Sequence, residues 1–417
     1  MLSRRCLAGV MLMTALCADA RAAAAQTADD LFGDQAVQRI DLYVNTRDWY
    51  WLKTRFADND YYPANMKWNG TTVTNVALRV RGAGSRSDAK PALRVDFNRY
   101  ATGRTFLGLT SMALNNGAQD PSGLRELLTM KTYRALGLPA PRMAPVALYV
   151  NNAYLGLYNA VEEVDEAFLT RAFGESAGHL FEYRWSDFYH FEYLGSALEP
   201  YAALYEPKTR VTESMGALYL PLEAMIRAMN DASDDSFVAA VSAYTSLPDF
   251  MRLVAVQAAI GEADGLLGNW GLSNHFLYRP NQSSLHRFIP WDASSSLRAL
   301  DYPLHAGHEE NVLMRRALRV PALKTVYYNT LLEAAALFDR IDGPAVPGQP
   351  APGWLEREAA RLRDLVRPAA YADRARPYTN EEFEAGAEEV LAFARIRGAF
   401  VRWEAARRFA PGAGPIY

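Results

Sequence analysis

Apolar and polar residues follow two different periods along the chain, and the change falls near residue 160. Before it, short stretches alternate between apolar and polar positions, which is typical of strands. Asn69-Gly70 and Asn151-Asn152 each separate two such stretches, and residue pairs of this kind predict tight hairpins. One helix interrupts this region, from Pro121 to Leu136.

After residue 160 the apolar residues recur at helical spacing. Two short strands are predicted in the middle, at His275–Tyr278 and Arg287–Ile289. Strands followed by helices predict an α+β protein, here a strand-rich lobe of residues 26–160 and a helix-rich lobe of residues 161–417 with a cleft between them. The predicted helices are Glu162–Phe173, Met215–Asn230, Pro248–Ala263, Pro321–Phe338, Trp354–Leu365 and Glu381–Phe409.

Residues 1–25 have the pattern of a secretory signal peptide. Arg4 and Arg5 precede an apolar run from Leu7 to Leu16, and alanine-rich sequence follows. Cleavage is expected after Ala25, with Ala22 as a competing site. A short membrane anchor is the alternative, but the run falls short of the ~20 residues that span a bilayer. The protein is therefore expected to be exported, to the periplasm or the extracellular space.

The composition argues against several classes of protein. Half of the residues are hydrophobic and 22% are charged, which excludes a disordered chain. Lys and Arg number 44 against 47 Asp and Glu, and this balance argues against a nucleic-acid partner. Cys6 and Cys17 both lie in the leader, so the mature protein is expected to contain no disulfide. No later apolar run is long enough to predict a transmembrane segment.

A glycine- and serine-rich loop flanked by arginines follows a predicted strand at residues 79–87. Exposed backbone N–H groups beside positive charge suit an anion such as a phosphate. Arg81 and Ser85 are the candidate binding residues there. A simple surface turn explains the same residues, because the loop matches neither the P-loop nor the dinucleotide-binding pattern.

Three polar residues on loops form a second candidate site: Asp264, Asn274 and Asp292. Phosphoryl transfer needs one carboxylate to orient the attacking hydroxyl, while an Asn and a second carboxylate hold Mg²⁺ on the nucleotide phosphates. Capping and turn roles are the alternative. Glu162, at a strand-to-helix junction, either stabilises the helix dipole or pairs with a phosphate-binding lysine.

A series of short segments follows in this order along the chain: Lys90-Pro91-Ala92-Leu93-Arg94-Val95-Asp96-Phe97, Phe106-Leu107-Gly108-Leu109, Leu114-Asn115-Asn116, Asp120-Pro121-Ser122, Leu124-Arg125-Glu126, Leu136-Gly137-Leu138-Pro139-Ala140-Pro141-Arg142, Tyr149-Val150-Asn151, Gly156-Leu157-Tyr158, Glu162, Asn274-His275-Phe276-Leu277-Tyr278 and Ile289-Pro290-Trp291-Asp292. In their combination and order these segments resemble the CotH family, secreted or surface-located atypical protein kinases. The resemblance covers roughly Leu78 to Asp292 and, more weakly, the helices to about Leu332.

The resemblance implies a divergent, two-lobed protein-kinase-like fold over residues 26–417. It also implies a kinase that uses ATP with Mg²⁺ or Mn²⁺ to phosphorylate Ser or Thr of a protein. By the matching positions, Asp264 is the candidate catalytic base, and Asn274 and Asp292 are candidate metal ligands. Glu162 is the acidic residue expected to form an ion pair with the phosphate-binding lysine, for which Lys90 is the candidate.

The sequence departs from the family pattern at three points. Ser294 stands where a second Asp is common, Arg94 stands where a Lys is frequent, and Glu262-Ala263 precede Asp264 in place of Asn-Trp. These departures keep a second class of function open, a non-catalytic envelope or surface protein that uses the same cleft for binding.

Overall fold

A computed structural model describes residues 26–343 and 351–409 of the chain. The predicted signal peptide, residues 1–25, lies outside the described residues. None of the helices within the two described ranges combines the length and the apolar character needed to cross a bilayer.

Eleven strands are present in the described part of the chain. Two pairs of neighbouring strands in the first half are joined by two-residue turns, at Asn69-Gly70 and Asn151-Asn152, as the sequence predicts. They are β1 Gln38–Val44, β2 Tyr62–Trp68, β3 Thr71–Val80, β4 Leu93–Asp96, β5 Ser111–Asn115, β6 Met143–Val150, β7 Ala153–Glu162, β8 His179–Tyr183, β9 Tyr205–Pro207, β10 His275–Arg279 and β11 Arg287–Pro290.

Twelve helices occur in the same described ranges, and most of them follow β7. Four of the five longest helices have a Ser or Thr cap or a Pro at their first position, which are common helix starts. They are α1 Ala28–Leu31, α2 Thr46–Thr54, α3 Arg125–Ala135, α4 Glu166–Phe173, α5 Glu199–Leu204, α6 Met215–Asp231, α7 Phe237–Ser242, α8 Leu247–Ala259, α9 Val312–Ala317, α10 Pro321–Phe338, α11 Trp354–Ala372 and α12 Asn380–Arg408.

The first seven strands close into a barrel in the order β1-β2-β3-β4-β5-β7-β6. Neighbouring strands are antiparallel except at the closing pair, where β1 and β6 run parallel with Ile40 opposite Leu148. Closure leaves no open edge on this sheet. Alternate residues of each strand fill the interior, among them Met66, Leu78 and Val95, all of them fully buried.

A second sheet, in the order β11-β10-β8-β9, lies in the helix-rich part. Its side chains share one hydrophobic core with α3, α6, α8, α10 and α12. Helix α11 contacts β7 of the barrel as well as α12, so the C-terminal helices pack against both halves of the protein.

The predicted α+β class is confirmed, with strands first and helices second. The strand-rich part differs from the expected kinase-like lobe because its strands close into a seven-stranded barrel. The parallel β1–β6 pair makes this closure, and it joins segments about 100 residues apart that no local pattern connects.

Several helices begin or end at residues other than the predicted ones. Glu162 is the last residue of β7 rather than the start of a helix, and α4 begins only at Glu166, after the cap Asp165. Helix α8 ends at Ala259, four residues before the predicted end. Helix α11 continues through Pro368 to Ala372, because Val366 and Ala370 are buried beyond the predicted end.

Candidate functional site

A cleft of about 1080 Å³ separates the barrel from the second sheet. Five of the seven predicted site residues line it, namely Arg81, Ser85, Asp264, Asn274 and Asp292. The structure thus brings these five residues together, and the roles assigned to them stay predictions. Lys90 and Glu162 are not among the residues that line the cleft.

Asp264 and Asn274 form a hydrogen-bonded unit at the base of the cleft. The Asn274 Nδ2 group donates to both the backbone carbonyl and Oδ2 of Asp264, at 2.9 Å each. Burial, and after it the charge of Asp292, raises the pKa of Asp264 above its usual value. The pair therefore presents a fixed carboxylate whose affinity for a proton is increased.

Asp292 lies beside this unit because of how β10 and β11 pair. The two strands are antiparallel with His275 opposite Pro290, so the start of β10 and the end of β11 meet at one edge. The Trp291 N–H donates to the Asn274 carbonyl at 3.0 Å. Asn274 and Asp292 both adopt left-handed backbone, with φ of 45° and 38°, which Asn and Asp tolerate best among non-glycine residues.

The loop that carries Asp264 is held from below by a buried arginine. Arg397 of α12 is fully buried, and its guanidinium donates to the carbonyls of Ala258 and Ala259, at 2.6 and 2.8 Å, at the end of α8. The same guanidinium donates to the carbonyls of Leu300 and Tyr302 at 3.0 and 2.9 Å. Arg397 thus joins the end of α8 to the segment beyond Asp292.

The glycine-rich loop forms the barrel side of the cleft. Gly82 has a φ of +86°, a conformation that glycine adopts without strain. The Arg86 guanidinium donates to the Gly82 carbonyl at 2.6 Å and to Asn59 at 2.7 Å, so it holds the loop in shape. Ser85 is fixed through its carbonyl, which accepts from Asn116 Nδ2 at 2.8 Å.

Arg81 belongs to a chain of polar side chains along the same wall. Its Nη1 donates to Asn115 Oδ1 at 2.6 Å, and its Nε lies 3.8 Å from Glu163 Oε1. Glu163 also lies 3.8 Å from the Arg94 guanidinium. Two arginines therefore face the cleft around one shared carboxylate.

Two further carboxylates are close to this site. Glu126, in the first turn of α3, lines the cleft and accepts from Asn115 Nδ2 at 2.9 Å. Burial, and after it the charge of Asp292, raises the pKa of Glu126 to about 8. Burial also raises the pKa of Glu262 to about 8, with the charges of Asp264 and Asp292 adding to the effect. Negative charges near Asp292 thus raise the proton affinity of the neighbouring carboxyl groups.

The predicted ion pair between Lys90 and Glu162 is wrong. Lys90 is buried, its Nζ lies 2.6 Å from Asp373 Oδ2, and it donates to the Leu157 carbonyl at 2.8 Å. Asp373 ends helix α11, so this pair joins the barrel to the C-terminal helices. Sequence alone could not find it, because the partners are 283 residues apart.

Glu162 has a different pair of partners. Its carboxylate lies 2.6 Å from the Arg142 guanidinium and 2.7 Å from that of Arg171, and its side chain is fully buried. Arg171 belongs to α4, so Glu162 ties this helix to the end of the barrel.

Four further residues line the cleft that the sequence did not predict as site residues: Glu163, Glu126, Asn115 and Arg94, the last of which the sequence marks only as a departure. A signal existed for Glu163. Successive side chains of a strand point to opposite faces, so Glu163, directly after β7, is expected on the same side as Asn159 of that strand, and both line the cleft. Glu126 gave no comparable signal, because an acidic residue in a first helical turn is common.

A divalent cation is implied by the resemblance, and the residues here are compatible with one. Within residues 26–343 and 351–409, Asp264, Asp292 and Glu126 form no ion pair. Oxygen donors of this kind suit Mg²⁺ or Mn²⁺. Three or more His, Cys, Asp or Glu side chains placed to hold a metal by themselves do not occur in these ranges.

The fold and the cleft define an α+β protein with acidic loop residues facing arginines across a cleft. Residues 78–401 match the CotH family, which is described as CotH kinase protein, and the chain belongs to this family. The resemblance inferred from the sequence motifs is thus confirmed, and it extends beyond the part that those motifs covered. The chain is also 23% identical, over 373 residues, to the inner spore coat protein H of Bacillus subtilis (strain 168), covering 87% of this chain and 95% of that protein.

Proposed function

We propose that this protein is an exported protein kinase that transfers the γ-phosphoryl group of ATP to a Ser or Thr hydroxyl of a protein substrate. One observation carries the proposal. Asp264, Asn274 and Asp292 share a cleft with two arginines and a glycine-rich loop on the opposite wall. This arrangement provides positive charge for phosphates and carboxylates for the acceptor and a cation.

Arg81 and Arg94 are the phosphate-binding residues in this proposal, in place of Lys90. Guanidinium groups bind phosphate oxygens with two parallel hydrogen bonds, and Glu163 and Asn115 hold Arg81 in one orientation. In this proposal the contacts of Glu163 with Arg81 and Arg94 replace the Lys–Glu ion pair that positions the phosphate-binding lysine in other kinases. The backbone N–H groups of the loop around Ser85 add donors on the same side.

Asp264 is the proposed base. The acceptor oxygen forms a bond to the γ-phosphorus while the bond from that phosphorus to the β–γ bridging oxygen breaks, and the hydroxyl proton moves to the Asp264 carboxylate. ADP leaves with the bridging oxygen. Asn274 orients the carboxylate through its 2.9 Å hydrogen bond, and the raised pKa of Asp264 favours proton acceptance.

Asp292 and the side-chain oxygen of Asn274 are the proposed ligands of Mg²⁺ or Mn²⁺, completed by nucleotide phosphate oxygens and water. A bound cation would offset the repulsion among the cleft carboxylates and the phosphates. Asn274 and Asp292 both have left-handed backbone and lie at the same edge of the second sheet, so they are neighbours there.

A non-catalytic surface-binding protein is the second candidate. Ser294 lines the cleft where a second Asp is common in the family, which favours this candidate. The relative from Bacillus subtilis bears the name of a spore coat protein, which agrees with an envelope or extracellular location for either candidate.

Transfer of labelled phosphate separates the two candidates. Protein purified without residues 1–25 is incubated with γ-labelled ATP, Mn²⁺ and a generic protein acceptor. The kinase proposal expects labelled acceptor with wild type and at least about a hundredfold less with Asp264→Asn. Saturable ATP binding without any transfer would favour the second candidate instead.

A further inference from the structure

Two large aromatic side chains stand exposed beside the catalytic loop. Phe188 is 60% exposed and Trp270 is 59% exposed, and their ring centroids lie 6.2 Å apart. Trp185, at 54%, precedes Phe188 in the same segment. We call these three residues the aromatic surface. Exposed apolar groups that cluster in this way mark interaction sites more often than single ones do.

The aromatic surface is held rigidly. The Phe188 N–H donates to the Trp270 carbonyl at 3.0 Å, and the Leu272 N–H donates to the Tyr189 carbonyl at 2.8 Å. Gly271 sits at the crossing with a φ of +98°, where a Cβ would lie 2.9 Å from the Tyr189 backbone nitrogen. The two segments are interlocked, so binding here would order little additional chain.

Phe188 is strained in this position. Its φ is +54°, in the left-handed region that bulky residues rarely adopt. A strained conformation usually persists when burial of the side chain offsets its cost, yet most of the Phe188 ring is exposed to solvent. Strain that the fold's own packing does not explain is typical of binding and catalytic sites.

The aromatic surface adjoins residues of the cleft along the chain. Trp270 lies in the loop between Asp264 and Asn274, and the Asn269 N–H donates to the Ala263 carbonyl at 3.0 Å, which keeps this loop compact. Arg184, the residue before Trp185, lines the cleft itself. The aromatic surface is therefore directly connected to two segments that bound the cleft.

Charge on this side of the cleft is largely neutralised. Arg184 lies 3.3 Å from Glu206, and Lys208 is shared between Glu206, at 2.9 Å, and Glu182. The charges of these four side chains balance, so the exposed rings and the single exposed carboxylate of Asp187 are the features left to contact a docked molecule.

We propose that Phe188 and Trp270 bind an aliphatic or aromatic side chain next to the acceptor hydroxyl, in an extended segment of the protein substrate. The inference rests on the proposed kinase function, because it takes the acceptor to be a protein. It adds a substrate preference that the catalytic residues do not define, namely apolar residues flanking the phosphorylated Ser or Thr.

Direct peptide binding tests the surface without relying on phosphate transfer. Two fluorescently labelled peptides carry one Ser each, flanked by Leu in one and by Ala in the other, with equal charge. Fluorescence anisotropy with the mature protein is expected to give a Kd at least about tenfold lower for the Leu peptide. Trp270→Ala and Phe188→Ala are each expected to remove this preference, whereas Trp403→Ala, which truncates an equally exposed Trp on α12, leaves it unchanged.

A second variant tests the strain argument. Phe188→Gly relieves the left-handed backbone, so it is expected to keep or raise the melting temperature while it removes the Leu preference. A Leu preference that survives Phe188→Gly overturns the role of Phe188 in binding.

Other outcomes are equally decisive. Equal binding of the two peptides, or a Leu preference that survives Trp270→Ala, overturns the inference. Binding of a neutral oligosaccharide such as cellohexaose at Trp270, with no peptide binding, would replace the protein segment with a glycan. If the Leu peptide binds as expected but labelled ATP gives no transfer, the kinase function fails and the binding surface stands.

Discussion

The side-chain amide of Asn274 donates to both the carbonyl and the carboxylate of Asp264, at 2.9 Å each. Through this contact the orientation of the candidate base depends on Asn274, which lies ten positions further along the chain and also adjoins Asp292. We therefore expect a change at Asn274 to alter the properties of Asp264.

Replacing Asn274 with Asp tests this unit with little backbone change, because both residues tolerate left-handed φ. The variant puts a second carboxylate where an amide donated to Asp264, so Asp264 loses a hydrogen bond and gains a repulsive neighbour. We expect kcat for phosphate transfer to fall by at least about tenfold, with the melting temperature nearly unchanged. Unchanged kcat would show that Asn274 does not position the base.

Lys90→Met distinguishes a structural lysine from a phosphate-binding one. The substitution leaves the Asp373 carboxylate buried without its cation, which is expected to lower the free energy of unfolding by about 3–5 kcal/mol. ATP affinity of the remaining folded protein should not change. Urea unfolding measures the first quantity, and calorimetric titration with ATP measures the second.

The double variant Lys90→Met, Asp373→Asn serves as the control. Removing the second charge should restore part of the lost stability, since a neutral amide is less costly to bury than a carboxylate. A stable Lys90→Met protein with weakened ATP binding would return Lys90 to the nucleotide site.

Arg397→Lys tests the support beneath the Asp264 loop. An ammonium group has three hydrogens, whereas the guanidinium donates to four buried carbonyls from a fixed plane. We expect unfolding free energy to drop by about 2–4 kcal/mol. Unfolding in guanidinium chloride measures this change, and Arg395→Lys on the exposed face of α12 provides a matched comparison. Equal stability of the two variants would remove Arg397 from this role.

Buried histidine makes stability depend on pH. Burial lowers the pKa of His286 to about 4, although its hydrogen bond to the Tyr244 carbonyl opposes the shift. An unfolded His has a pKa of about 6.5. Below that pH the unfolded chain binds a proton that the folded protein excludes. The stability is therefore fully present above pH 6.5 and is lost as the pH falls towards 4.

His286→Asn removes this titration while its amide can still donate to the Tyr244 carbonyl. Between pH 7 and pH 5 we expect the variant to lose about 2 kcal/mol less unfolding free energy than the wild type. Thermal or urea unfolding at a series of pH values gives this difference. Parallel curves for both proteins would mean that His286 is protonated equally in the folded and unfolded states.

Local chemistry made part of the fold predictable from sequence. Asn69-Gly70 and Asn151-Asn152 have positive φ at both residues, as their preference for left-handed backbone predicts, and each joins two strands. Helix α10 has the predicted bounds because Pro321 begins it and an apolar pattern continues to Phe338. These signals lie within a few residues of the structure they specify.

Such local signals do not predict contacts between segments that are far apart in the sequence. The Lys90–Asp373 pair and the barrel closure join distant segments through burial, which depends on the whole fold. For the site, the family motifs led to Asp264, Asn274 and Asp292, but the choice between Glu162 and Glu163 depended on strand register. A shift of one residue exchanges the two faces of a strand, and the motif alone does not define that register.

We propose that the cleft binds ATP together with a divalent cation held in part by Asp292. Isothermal titration calorimetry with ATP, in the presence and absence of Mn²⁺, tests it most directly in wild type and Asp292→Asn. We predict at least about tenfold tighter ATP binding with Mn²⁺ in wild type, and loss of most of this enhancement in the variant. An equal Mn²⁺ enhancement in both proteins, or no ATP binding in either, would contradict the account.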